Sequence, residues 1–155
     1  MSPTRAAKAN WKPNDKVIEG KPGAARIKAA LTRRRVTFTK RVVTSRDPGM
    51  SDVIYDLGRP DMPPGIRSWQ LPFVLGGGEG GVFFFLTVAE PGAIVPSHSH
   101  TRDLLRIVVS GSLITNGIEL KSGDWMYVPT GVEYSYTAGL NPGLISYHCY
   151  IPKKP

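Results

Sequence analysis

Residues 92–120 read GAIVPSHSHTRDLLRIVVSGSLITNGIEL, and this stretch decides the fold. Within it, Asn116-Gly117 separates Leu113-Ile114-Thr115 from Ile118-Glu119-Leu120. Such a pair between apolar runs is a strong hairpin signal, because both central residues of a type I′ turn need positive φ. Upstream, residues 104–115 form a run of Leu, Ile and Val with no helical spacing, which predicts a strand. His98 and His100 lie just ahead of it, two positions apart. On a strand such residues share a face, about 7 Å apart, so both imidazoles can converge on one ion while Ser99 faces away.

The same grammar repeats outward from this stretch. Residues 66–74, 82–89, 125–128, 133–137 and 144–151 are rich in Val, Ile, Phe, Tyr and Trp. Pro91-Gly92, Ser122-Gly123-Asp124, Pro129-Thr130-Gly131 and Asn141-Pro142-Gly143 supply turns between them. The pattern predicts an all-β sandwich or barrel of about eight strands. A length of 155 residues suits one such domain, and 17 Gly with 14 Pro, a fifth of the chain, favour short strands over long helices.

Composition removes several classes of function. No apolar run approaches the length of a membrane span, and the first thirty residues lack a signal-peptide core, so a soluble cytoplasmic protein without membrane contact is expected. A lone Cys149 excludes an internal disulfide framework and any multi-cysteine zinc site. The glycine run Gly76-Gly77-Gly78-Glu79-Gly80-Gly81 satisfies the dinucleotide fingerprint literally, but the strand-like Val82-Phe83-Phe84-Phe85-Leu86 follows it where a helix is required. It reads as a hairpin loop.

The net charge of +8 is unevenly placed. Residues 1–46 hold 13 Lys or Arg against Asp15 and Glu19 alone, whereas residues 47–155 hold 7 against 10 acids. Residues 1–49 are therefore expected to be a basic, largely disordered extension with a short helix near residues 24–31, ahead of a domain spanning 50–155. A basic leader also suggests weak contact with nucleic acid, though no specific motif supports it.

The chain resembles the cupin superfamily of small jelly-roll β-barrels. Gly92, five residues, His98-Ser99-His100, three residues, Leu104, six residues and Gly111 reproduce the spacing of that family's first motif. Gly123, five residues, Pro129-Thr130-Gly131, two residues and Tyr134 reproduce the second. Leu104 stands where the family has a glutamate ligand and Tyr134 where it has a histidine ligand. The resemblance implies a divalent transition metal (Fe, Mn, Ni, Co or Zn) held by His98 and His100. His148, on a last strand expected beside the motif-two strand, is a candidate third ligand or else a core histidine bonded to a backbone or tyrosine partner; Tyr134, through its phenolate oxygen, and Asp103, one residue out of register with the family glutamate, are the other candidates.

If Leu104 faces inward, Arg106 and Val108 do too, and a buried guanidinium calls for an anionic ligand or for pairing with Asp103, Glu133 or solvent at the barrel mouth. Tyr134 and Tyr136 would line the same cavity, and Tyr134 and Arg106 are the candidate catalytic groups. The resemblance leaves dioxygenase, lyase and isomerase chemistry on a small anionic molecule open, along with a non-catalytic binding or sensing module that has lost its metal. It also implies a homodimer joined through the outer sheet.

Overall fold

The chain's structure, a computed structural model, describes residues 11–38 and 40–152. Among these, α1 (Asp15–Ile18), α2 (Gly20–Arg34) and α3 (Met50–Asp56) precede the strands β1 (Ile66–Leu75), β2 (Val82–Ala89), β3 (Ile94–His98), β4 (Leu104–Thr115), β5 (Ile118–Lys121), β6 (Trp125–Val128), β7 (Tyr134–Ala138) and β8 (Leu144–Tyr150). Neighbouring strands run antiparallel in the order β1-β2-β8-β4-β7-β3, with β5 and β6 also paired to β4. The sheet curls on itself as a jelly roll.

Strand β4 is the hub. Its first half pairs with β6 and β8, and its second with β5 and β7. Gly111 sits between the halves at φ 71°, where an added Cβ would fall 1.9 Å from Gly143 O, so the closeness of β8 requires glycine there. Asn116 and Gly117 take φ of 51° and 74°, as the hairpin signal predicts. The last strand is not beside the motif-two strand, as the sequence suggested, because β4 lies between β8 and β7.

Strand alternation buries Phe83, Phe85, Thr87 and Ala89 of β2, and Leu104, Arg106 and Val108 of β4. The opposite face of β4 and its neighbours carries exposed Ile107, Val109, Trp125, Tyr127 and Tyr147. Ile107 is in register with both Trp125 and Tyr147, so these side chains form one contiguous apolar surface.

The described part of the leader departs from the expectation of an unstructured extension. Ile18 (0% exposed), Ile27, Ala30 and Val36 join Met50, Val53 and Leu57 in one core cluster with Phe83, Phe85, Leu104, Val128 and Tyr150. Packing therefore runs without a break across position 49/50. The apolar residues of α2 are few and α1 is only four residues long, so local propensity understates these helices, and burial against the barrel stabilises them. The short helix expected near residues 24–31 is the centre of α2. Part of the leader's charge is paired: Arg33 and Arg34 with Asp56, Arg41 with Asp47, and Glu19 with Arg102. No helix among the described residues is long and apolar enough to cross a membrane.

Candidate functional site

Six residues singled out in the sequence, His98, His100, Arg106, Tyr134, Tyr136 and His148, line one small cavity of about 20 Å³ inside the barrel. Strand β3 brings His98, β7 brings Tyr134 in register with it, β4 brings Arg106, and β8 brings His148 in register with Arg106. Trp11, Pro13, Arg59 and Tyr150, which sequence reasoning passed over, join the wall along with Met62, Thr87 and Val95. The cavity is about the size of one water molecule, and Trp11 and Pro13 of the N-terminal segment form part of its wall. Trp11 packs edge-on against His98 at 5.0 Å between ring centroids and donates its indole N–H to Asp61 O at 2.6 Å.

The two motif histidines meet at their Nε2 atoms, 3.1 Å apart. Each Nδ1 faces an acceptor: Pro96 O at 2.7 Å for His98, and Asp15 Oδ2 at 2.8 Å for His100. A carbonyl or carboxylate can only accept, so both Nδ1 atoms are the protonated ones. The two Nε2 atoms then face each other at a distance that one shared proton or one bound cation can bridge. Orientation of each ring by a carbonyl or carboxylate behind it is also how metal-binding histidines are held. Tyr134 adds its hydroxyl, which donates to His100 Nε2 at 3.2 Å. These residues fit a metal ion through two nitrogens, with the tyrosine oxygen alongside.

The remaining candidate ligands are elsewhere. Among the described residues no three His, Cys, Asp or Glu side chains are grouped to hold one ion, so His148 does not complete a three-histidine set. It stacks on Phe85 at 4.9 Å, and neither ring nitrogen has a hydrogen-bond partner. Asp103 points away from the histidines: it accepts from the Tyr127 hydroxyl and, at 2.8 Å, from both the amide and the hydroxyl of Thr130. Leu104, in place of the family's glutamate, is fully buried in the apolar cluster.

Electrostatics follow from burial. Burial lowers the His98 pKa to about 4, and burial with the nearby Arg106 cation puts His148 well below the usual range, so both rings are neutral. Burial likewise pushes the Tyr134 hydroxyl up to about 12, against the pull of Arg106, which makes it a hydrogen-bond donor rather than a phenolate. Burial disfavours the Arg106 cation as well, but Tyr136, Tyr134 and Tyr150 outweigh that and keep its pKa above the ordinary arginine value. Its Nη1 donates to Ser146 Oγ at 2.8 Å and its guanidinium lies 5.0 Å from the centre of the Tyr136 ring. Arg59, by contrast, has Asp15 Oδ1 at 3.8 Å.

Asp15 is the residue that sequence reasoning missed at most cost. It joins His100, Tyr150 and Arg59. Its signal was its rarity, since it and Glu19 are the only acids among the first 46 residues.

The antiparallel jelly roll, with His98 at the end of β3 and Pro129-Thr130-Gly131 in the turn between β6 and β7, is a cupin-like fold. Solved structures with the same fold include an RmlC-like cupin from Ralstonia eutropha, 16% identical over 62% of this chain and 62% of that one, with a TM-score of 0.51. A chain from the complex of Rhodobacter sphaeroides SigE with the anti-sigma ChrR is 19% identical over 83% of this chain and 78% of that one, with a TM-score of 0.51. Bacillus subtilis oxalate decarboxylase, a protein with Mn(II) centres, is 18% identical over 61% of this chain but only 27% of its own length, with a TM-score of 0.51. No protein-family model and no curated protein sequence matches the chain.

Proposed function

We propose that this protein is a metal-binding cupin acting on a small anionic organic molecule. His98 and His100 hold a divalent transition metal through Nε2, Tyr134 donates a hydrogen bond beside it, and Arg106 and Tyr136 face the ligand. The observation that carries this reading is the 3.1 Å approach of two Nε2 atoms whose Nδ1 atoms are both committed as donors. A bound metal would act as a Lewis acid toward a carbonyl or activate oxygen. Two protein nitrogens leave several coordination positions for ligand and water, so affinity is expected to be lower than at three- or four-ligand sites.

The test is elemental analysis of untagged protein beside a His98→Ala, His100→Ala double variant. Near-stoichiometric Fe, Mn, Ni, Co or Zn that is lost in the double variant supports the proposal. Protein that stays metal-free after incubation with each ion overturns it.

Leu104 favours a second reading, a metal-free module that binds or senses a small ligand in the same cavity, since an aliphatic residue replaces a charged ligand and is packed into the core. The same metal analysis separates the two. In either case this reading places a second copy against the outer face of β4, β6 and β8, and a solution mass of one chain by light scattering would remove that part of it.

A further inference from the structure

The concave face of the sheet carries two polar rows set by strand register. One runs Ser68, Thr87, Ser146 across β1, β2 and β8; the other runs Gln70, Phe85, His148, Arg106 across β1, β2, β8 and β4. The first row is satisfied within the chain, with Thr87 bonded to Ser68 at 3.2 Å and Ser146 to Arg106 at 2.8 Å. In the second, Gln70 donates to Ile18 O at 2.8 Å. At the other end of that row, Arg106 Nε and both ring nitrogens of His148 are buried with no partner.

These are the only two residues of the rows with orphaned atoms, and they oppose each other directly on β4 and β8, both lining the cavity. Among the described residues no carboxylate forms an ion pair with Arg106, while the other chamber arginine, Arg59, has Asp15. Groups buried this way are unfavourable unless something supplies acceptors. A carboxylate meets the two donors with least material: one oxygen takes Arg106 Nε–H, the other takes the imidazole N–H, and its charge offsets the guanidinium. The guanidinium also lies 5.0 Å from the centre of the Tyr136 ring, a contact that helps hold it in the cavity wall.

We propose that Arg106 and His148 form a carboxylate-binding dyad, and that the ligand is a small monocarboxylate anchored there, with His148 an anion anchor rather than a metal ligand. This deepens the proposed function and rests on it for the identity of the cavity as the ligand site. The cavity of about 20 Å³ is smaller than acetate, so binding requires Trp11 and Pro13, which line it, to move outward.

The test is calorimetric titration of the full chain with sodium acetate at ionic strength held constant with sodium chloride, against acetamide as the neutral isostere. Saturable acetate binding is expected, at least tenfold tighter than acetamide, and Arg106→Met and His148→Phe are each expected to weaken it tenfold or more. Acetate binding retained in the His98→Ala, His100→Ala variant shows that the dyad acts independently of the metal, so this proposal stands even if the metal reading fails. Acetate binding that vanishes in that double variant assigns the anion to the metal and overturns the dyad. Equal binding of acetate and acetamide, or no acetate binding, also overturns it. If neither dyad variant folds, the comparison of acetate with acetamide on the natural chain and on the double variant decides the matter.

Discussion

Asp15 and His100 are 85 residues apart in sequence and share a 2.8 Å hydrogen bond between Oδ2 and Nδ1. The bond ties the segment ahead of α2 to the motif histidine and sets which nitrogen of that ring faces the cavity. The N-terminal segment is thus part of the site as well as part of the core.

Replacing Asp15 tests that coupling. Asp15→Ala leaves His100 Nδ1–H and the Tyr150 hydroxyl without their acceptor, and loss of a carboxylate that orients a metal-binding histidine typically weakens metal binding about 10–100-fold. Competition titration with a chelator is expected to show that loss, with circular dichroism unchanged. Unaltered metal affinity would mean that the contact only anchors the chain.

Packing of the leader has a separate signature. Ile18 is 0% exposed against Phe83 and its neighbours, so Ile18→Ala is expected to cost about 2–5 kcal/mol in urea unfolding. A solvated leader would give no change in the midpoint.

Acid sensitivity is expected where α2 meets α3. Arg34 Nε and Nη2 donate to Asp56 at 2.8 and 2.9 Å, and this hydrogen bonding holds the carboxyl below its ordinary value of 3.8. A carboxyl with a depressed folded-state pKa stabilises the fold above its unfolded pKa, and that contribution is lost as pH falls through the folded value. Unfolding midpoints measured from pH 5 down to pH 3 should fall, and Asp56→Asn should flatten part of that slope. The same slope in both proteins would show that the ion pair contributes nothing.

Cys149 is buried in β8, and burial raises its thiol pKa. Reaction with an aromatic disulfide reagent at neutral pH is therefore expected to be slow and to track unfolding by urea. Rapid labelling of the native protein would contradict its placement.

Much of the barrel was legible because its signals are local. The strand-forming residues of 104–115 and the Asn116-Gly117 turn rest on backbone geometry that a few neighbours determine, whereas His100 lies beyond the end of β3, so strand spacing alone did not bring it to His98. The site was legible in its membership, since strand parity turns Arg106, Tyr134 and Tyr136 inward, but not in its bonding. Whether His148 is a ligand depends on the order of β8, β4 and β7 in the sheet, and the spacing of the motifs does not encode that order.

The sequence by itself determined an all-β barrel and the side chains that face its interior, because strand period and turn chemistry act over a handful of residues. Only the tertiary structure decided that residues 11–38 fold onto the barrel, that Asp15 orients His100, and that Arg106 and His148 face each other without partners. Those outcomes depend on contacts between distant segments, and burial, which sets both their cost and their pKa values, exists only once the chain has packed.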